Sequence, residues 1–199
     1  MHRLTVCLLV TLLPCVAFAG PFGVDWGMSI SSLKAAGAEC ELDKRNVESF
    51  DAYQCAKLVK PFSNADFYMV YVHPAQGVQR VSMLGETIMD DPYGIMGLER
   101  YKGYKSALTK KYGEPTDSYE WKGQALYRDA DEFYECIDYS GCGTQTSIFK
   151  KDGVSVMVKI SSSGRRGQGW LSIMYEGPQY MNLVNAFEEA QNASDMDSL

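Results

Sequence analysis

The side chains in this chain that could do chemistry are two histidines, six cysteines, an acidic run at 128–132 and an arginine-bearing glycine loop at 164–169. Histidine sets the first limit. His2 lies in an apolar opening segment, so a histidine mechanism in the remainder would have to use His73 alone. His73 stands before Pro74, on the same side of an extended run as Phe67, Met69 and Tyr71. Neither a G-x-S-x-G nucleophile turn nor an H-E-x-x-H zinc pair accompanies it. A histidine with no nucleophile or second ligand beside it reads as structural rather than as a general base.

Cysteine chemistry depends on the compartment. Met1-His2-Arg3 gives a short positive start, Leu4–Leu13 an apolar run, Pro14 a helix break and Ala17-x-Ala19 the small residues of a cleavage site. The apolar stretch is shorter than the ~20 residues a span requires. Residues 1–19 therefore read as a signal peptide, and no later stretch is apolar enough to span. The expected location is periplasmic or secreted. Cleavage after Ala19 removes Cys7 and Cys15, leaving Cys40, Cys55, Cys136 and Cys142. An even set in an oxidising compartment reads as disulfides, with three possible connectivities. Two local pairs, Cys40 with Cys55 and Cys136 with Cys142, are favoured. The intervals of fourteen and five residues do not match the C-x₂₋₄-C pairs of a Cys₄ zinc site, and there is no C-x-x-C for thiol exchange. No metal and no cofactor is expected.

Arg128-Asp129-Ala130-Asp131-Glu132 concentrates acid. As an EF-hand it fails, because Tyr134 stands where the turn glycine belongs and Ser140 where the bidentate glutamate belongs. A solvated helix start, with acid countering the dipole, is the simpler reading. Gly164-Arg165-Arg166-Gly167-Gln168-Gly169 lacks the G-x-x-x-x-G-K-[ST] order and lies between strands, so it reads as a flexible hairpin tip. Arg165 and Arg166 could still meet carboxylates of a partner. From Tyr93 to Tyr139 the chain is dense in aromatics. Tyr101, Leu108 and Tyr112 have core spacing on a helix. Tyr104, Trp121 and Tyr139 are harder to bury together and are the candidate binding aromatics.

The elements that must position these residues follow from period and punctuation. Ser29 caps and Gly37 stops a short helix, and strands are expected over Tyr53–Val59, Phe67–His73 and Val78–Leu84. Leu98, Tyr101, Lys105, Leu108 and Tyr112 mark a second helix closed by Gly113 and Pro115. A strand at Ser118–Trp121 follows, then Gln145–Lys150 and Val154–Ile160 around an Asp152-Gly153 hairpin turn, a strand at Trp170–Tyr175 and a last helix carrying Met181, Val184, Ala186 and Phe187. The order α-βββ-α-β-βββ-α predicts an α+β fold: an antiparallel sheet with helices on one face, in a pattern of two αβββ units. About 180 residues remain after residue 19, so one domain is expected over 20–191, with a disordered polar tail at 192–199.

The opening Phe22-Gly23-Val24-Asp25-Trp26-Gly27-Met28-Ser29 and the helix end Lys111-Tyr112-Gly113-Glu114-Pro115 resemble segments of small exported bacterial proteins. A similar G-M-(S/T) helix start occurs in outer-membrane lipoproteins of the SmpA/OmlA type and in the β-lactamase inhibitor protein fold. The matches span about 30 of 199 residues, and the chain departs by lacking a lipobox and by extra sequence around Cys136. The resemblance implies a non-catalytic, protein-binding module.

The formal charge is -6, and about -7 once Arg3 is removed, which argues against nucleic acid or anionic lipid as partner. The reading that results is an exported binding, inhibitor or immunity-like module holding another envelope protein. The alternatives are a carboxylate-based envelope hydrolase and a binder of carbohydrate or another small ligand.

Overall fold

The structure is a computed structural model that describes residues 20–47, 49–123 and 126–197. The expected signal peptide at 1–19 lies outside them. After a 3-10 turn at Pro21–Gly23, helix α1 (Ile30–Ala35) begins where expected: Ser29 Oγ accepts from Ser32 N at 3.1 Å, and Leu33 enters the core. Four strands follow, β1 (Glu39–Val47), β2 (Phe50–Lys57), β3 (Ala65–His73) and β4 (Gly77–Gly85). Helix α2 (Ile95–Tyr112) leads into β5 (Asp117–Lys122), short helix α3 (Phe133–Asp138), β6 (Gly143–Lys151), β7 (Val154–Ser162), β8 (Gly169–Glu176) and α4 (Tyr180–Asp197).

The fold is α+β, with one eight-stranded antiparallel sheet in the order β1-β2-β3-β4-β8-β7-β6-β5. Two meanders, β1–β4 and β5–β8, meet where β4 pairs with β8, Val81 opposite Tyr175 and Met83 opposite Ile173. Asp152 (φ 51°) and Gly153 (φ 78°) both take the left-handed conformation that a tight hairpin turn between β7 and β6 requires. Both disulfides form as paired from the sequence, Cys40–Cys55 tying β1 to β2 and Cys136–Cys142 tying α3 to the start of β6.

Three expectations need correction. Four strands follow α1, not three, because Glu39–Val47 is also a strand. Its charges are those of a sheet edge, where unpaired backbone groups are protected by ionic side chains and the alternation of a half-buried strand is lost. The polar tail is helical through Asp197. Helices also do not all share one face. Tyr68, Val70, Val81, Met83, Val156, Val158, Ile173 and Phe149 form the core beneath α1, α2 and α3. Helix α4 instead lies on the opposite face at one end, where Tyr180 packs on Phe50 with ring centroids 5.2 Å apart and Val184 is buried.

Candidate functional site

Strand register shows what the face opposite the core carries. One row crosses the whole sheet through Glu41, Gln54, Met69, Ser82, Met174, Met157, Ile148 and Asp117. The next row contains Phe67, Leu84, Ser172, Lys159, Thr146 and Tyr119. Side chains at paired positions point to the same side, so these rows form one surface. At its centre is a concavity of about 440 Å³ lined by Phe67, Met69, Leu84, Met157, Trp170 and Met174, with Arg80 and Lys159 at its margins. Arg80 donates to Tyr180 Oη at 2.9 Å and lies over the Tyr71 ring at 4.8 Å, so α4 closes that end of the face. A larger depression of about 1200 Å³ adjoins at Asp43 and Phe67, and Glu39, Glu41 and Asp66 make its border acidic.

A second polar site lies on the helix side, between α2 and β5–β6. Tyr101 Oη donates to Glu120 Oε1 at 2.9 Å and is 2.7 Å from Ser147 Oγ, which in turn is 2.8 Å from Ser118 Oγ. Lys105 Nζ also donates to Glu120, above a cleft of about 460 Å³. Desolvation would raise the Glu120 carboxyl, but hydrogen bonds from Lys105 and Tyr101, with the Lys105 charge, hold it below the usual carboxylate range. Burial pushes the Tyr101 hydroxyl well up. Ser147 is fully buried, so it is not placed as a nucleophile. Carboxylate hydrolysis needs one carboxyl kept protonated and a second across the scissile bond. Glu120 is held ionised and is the single carboxylate among the described residues lining this cleft. The cluster therefore reads as a seam joining α2 to the sheet edge.

The residues singled out in the sequence fall in three places. Tyr104, on α2, is half-buried and packs edge-to-face on Phe62 at 5.3 Å. Trp121 is 40 % exposed on β5, paired with Thr144 and two residues from Tyr119, at the far end of the uncovered face. Tyr139, at the end of α3, is exposed and contacts the Tyr127 ring at 5.9 Å. Arg165 joins Tyr139 in lining one cavity, whereas Arg166 is ion-paired with Asp131. Tyr104, Trp121 and Tyr139 thus do not converge, and Tyr139 with Arg165 do. His73 ends β3 against the Phe50 ring, its Nδ1 accepting from Ala75 N at 3.2 Å. In the acidic run Asp129 N donates to Glu132 Oε2 at 3.1 Å, a turn leading into α3. Among the described residues no group of three or more His, Cys, Asp or Glu is placed to hold a metal ion, and no helix is long and apolar enough to cross a membrane.

Reading residue by residue missed Met69, Met157, Trp170 and Met174. Their signal was present: β3 and β8 carry apolar residues on both sides, Phe67, Met69 and Tyr71 against Tyr68, Val70 and Val72, and Trp170 and Met174 against Leu171 and Ile173. A strand apolar on both sides has two surfaces to cover. No family model, curated protein or solved structure matches the chain.

Proposed function

We propose that this chain is an exported, non-catalytic binding module that holds another protein of the cell envelope on the uncovered face of its sheet. The observation that carries this reading is the patch of Phe67, Leu84, Met157, Trp170 and Met174 around the buried Met69, left without a helix over it while the other face is packed beneath three. A contiguous apolar surface rimmed by charge marks an interaction site more often than idle surface. Aromatic and methionine side chains supply adaptable contact area there. The acidic border of Glu39, Glu41 and Asp66 and the net charge of -6 suit a basic partner, as an inhibitor or immunity role against a lytic enzyme would require. The resemblance of the opening segment to inhibitor-type proteins points the same way.

In finer detail, we read α1 with β1–β4 and α2 with β5–β8 as two copies of one helix-plus-meander unit, joined at their last strands, with α3 inserted into the second. Such an arrangement widens the sheet enough for a protein surface rather than a small molecule.

The test uses the disulfide-bonded chain from residue 20 as bait in an envelope extract, beside a Met174→Glu variant. Met174 is partly buried on the side of β8 away from the core, so the variant should keep its fold by circular dichroism while placing a charge at the centre of the patch. The expected result is a retained basic protein that the variant loses. Retention of the same proteins by both baits would contradict the reading.

A further inference from the structure

We propose that β5 is a dimerisation edge, at which two copies of this chain join antiparallel about a two-fold axis perpendicular to the sheet. This goes beyond the partner held on the sheet face and uses none of the residues of that patch. The sheet has two edges, and they are built differently. The outer strand β1 carries Glu39, Glu41, Asp43 and Lys44, and its register with β2 shifts twice. Charge and irregularity keep such an edge from adding a strand. At the other end β5 pairs with β6 from Asp117 to Lys122 without a shift, and its Tyr119 and Trp121 are 50 % and 40 % exposed. Its central charge, Glu120, is bonded to Lys105 and Tyr101 of α2, so it anchors the strand rather than guarding it. Among the described residues no backbone hydrogen bond joins 118–122 to any segment but β6.

The phase of the backbone bonds sets what the open edge offers. Gly123 N donates to Cys142 O at 3.2 Å, one step beyond the Lys122–Gly143 pair. Bonding alternates along an antiparallel strand, so Tyr119 and Trp121 bond to β6 while Ser118, Glu120 and Lys122 turn N–H and C=O outward. A two-fold centred on Glu120 satisfies all of these groups: Ser118 of one copy meets Lys122 of the other, and Glu120 meets Glu120. Tyr119 then falls opposite Trp121 of the second copy, and Trp121 opposite its Tyr119, in the non-hydrogen-bonded pairing where side chains come closest. Aromatic cross-strand pairs stabilise a sheet, and within the chain these two rings face only Thr146 and Thr144. On the helix side each Glu120 is bonded to its own Lys105, and Lys122 of the second copy stands diagonal to it, so the two carboxylates meet without bare charge. A foreign strand would need aromatic residues two apart to match these rings, whereas a second copy brings them in register. The strand has six residues, which is short for a standard interface, so a dimer of about 1–100 µM strength is expected.

The experiment is analytical ultracentrifugation of the disulfide-bonded chain from residue 20 over about 1–300 µM, a range that brackets the expected strength. A monomer–dimer equilibrium is expected, and Trp121→Lys, at an exposed position, should weaken it by about tenfold or more while leaving the circular dichroism spectrum unchanged. Register is read by crosslinking. Tyr119→Cys and Trp121→Cys chains, each purified separately, should form an intermolecular disulfide faster when mixed than either does alone, because residue 119 of one copy lies opposite 121 of the other. A chain that stays monomeric throughout the range, a dimer that Trp121→Lys leaves as strong, or single-variant crosslinking as fast as that of the mixture would each overturn the proposal. None of these outcomes bears on the sheet-face patch, whose test is retention of a different protein.

Discussion

Asp91 Oδ2 accepts from Gly97 N and from Tyr134 Oη, each at 3.0 Å, and so joins the first turn of α2 to α3 through a buried carboxylate. Gly97 makes that approach feasible: a Cβ there would stand 2.4 Å from Tyr134 Oη. Gly103, six residues further along the same helix, has nothing within 4 Å of the equivalent point. The two glycines should therefore respond oppositely to alanine. Gly97→Ala is expected to destabilise by about 1–3 kcal/mol through overpacking against a hydroxyl fixed at both ends. Gly103→Ala should stabilise by about 1 kcal/mol through helix propensity alone. Urea unfolding midpoints of the two variants distinguish the effects, and equal shifts would refute the contact.

Tyrosine governs the alkaline limit at the same scale. Burial pushes the hydroxyls of Tyr101, Tyr134 and Tyr175 up, reinforced for Tyr134 by the Asp91 charge and for Tyr175 by Tyr112. Groups raised in the folded state keep their protons while the unfolded chain loses its own, so stability present below the unfolded value of about 10 declines as pH rises beyond it. Denaturant midpoints should be level through neutrality and fall above about pH 10. Tyr175→Phe should make that fall shallower.

Among the elements, β1 depends most on its crosslink. It is an edge strand whose register with β2 shifts twice, between Glu39 and Cys40 and between Asp43 and Val47, and Cys40–Cys55 fastens it beside the first shift. Replacing both cysteines by serine closes off that constraint and is expected to cost about 3 kcal/mol in the chain-entropy account. Calorimetry of the double variant against the unsubstituted chain measures it. The same strand illustrates what could be read from residues alone. Strands with a clean alternation, such as Val154, Val156, Val158 and Ile160, were legible because one buried face imposes period two. Glu39–Val47 was not, since an edge strand owes its pairing to a neighbour rather than to its own pattern. The final helix ran past its expected end for a related reason: residues 188–196 are exposed, so no apolar stripe marks them.

For the whole molecule, the disulfide pairing and the fold class were legible while the site was not. Cysteine spacing and hairpin punctuation led to both disulfides and to an antiparallel sheet. The uncovered face depends on which strands become neighbours, and the β4–β8 pairing brings Met69 and Leu84 into one surface with Trp170 and Met174 from about 90 to 100 residues away. No local spacing encodes that meeting. The Tyr139–Arg165 cavity is a partial exception, because both residues were singled out by type before the fold joined them.

Methionine provides the most direct test of the sheet face, since Met157 and Met174 line it while Met96 is 41 % exposed on α2, well removed from it. Mild peroxide oxidation of the chain, free and with its captured partner, followed by peptide mass analysis, compares these sites in one sample. The account predicts that the partner protects Met157 and Met174 and leaves Met96 as reactive as before. Protection of Met96 with Met157 and Met174 unchanged would contradict it.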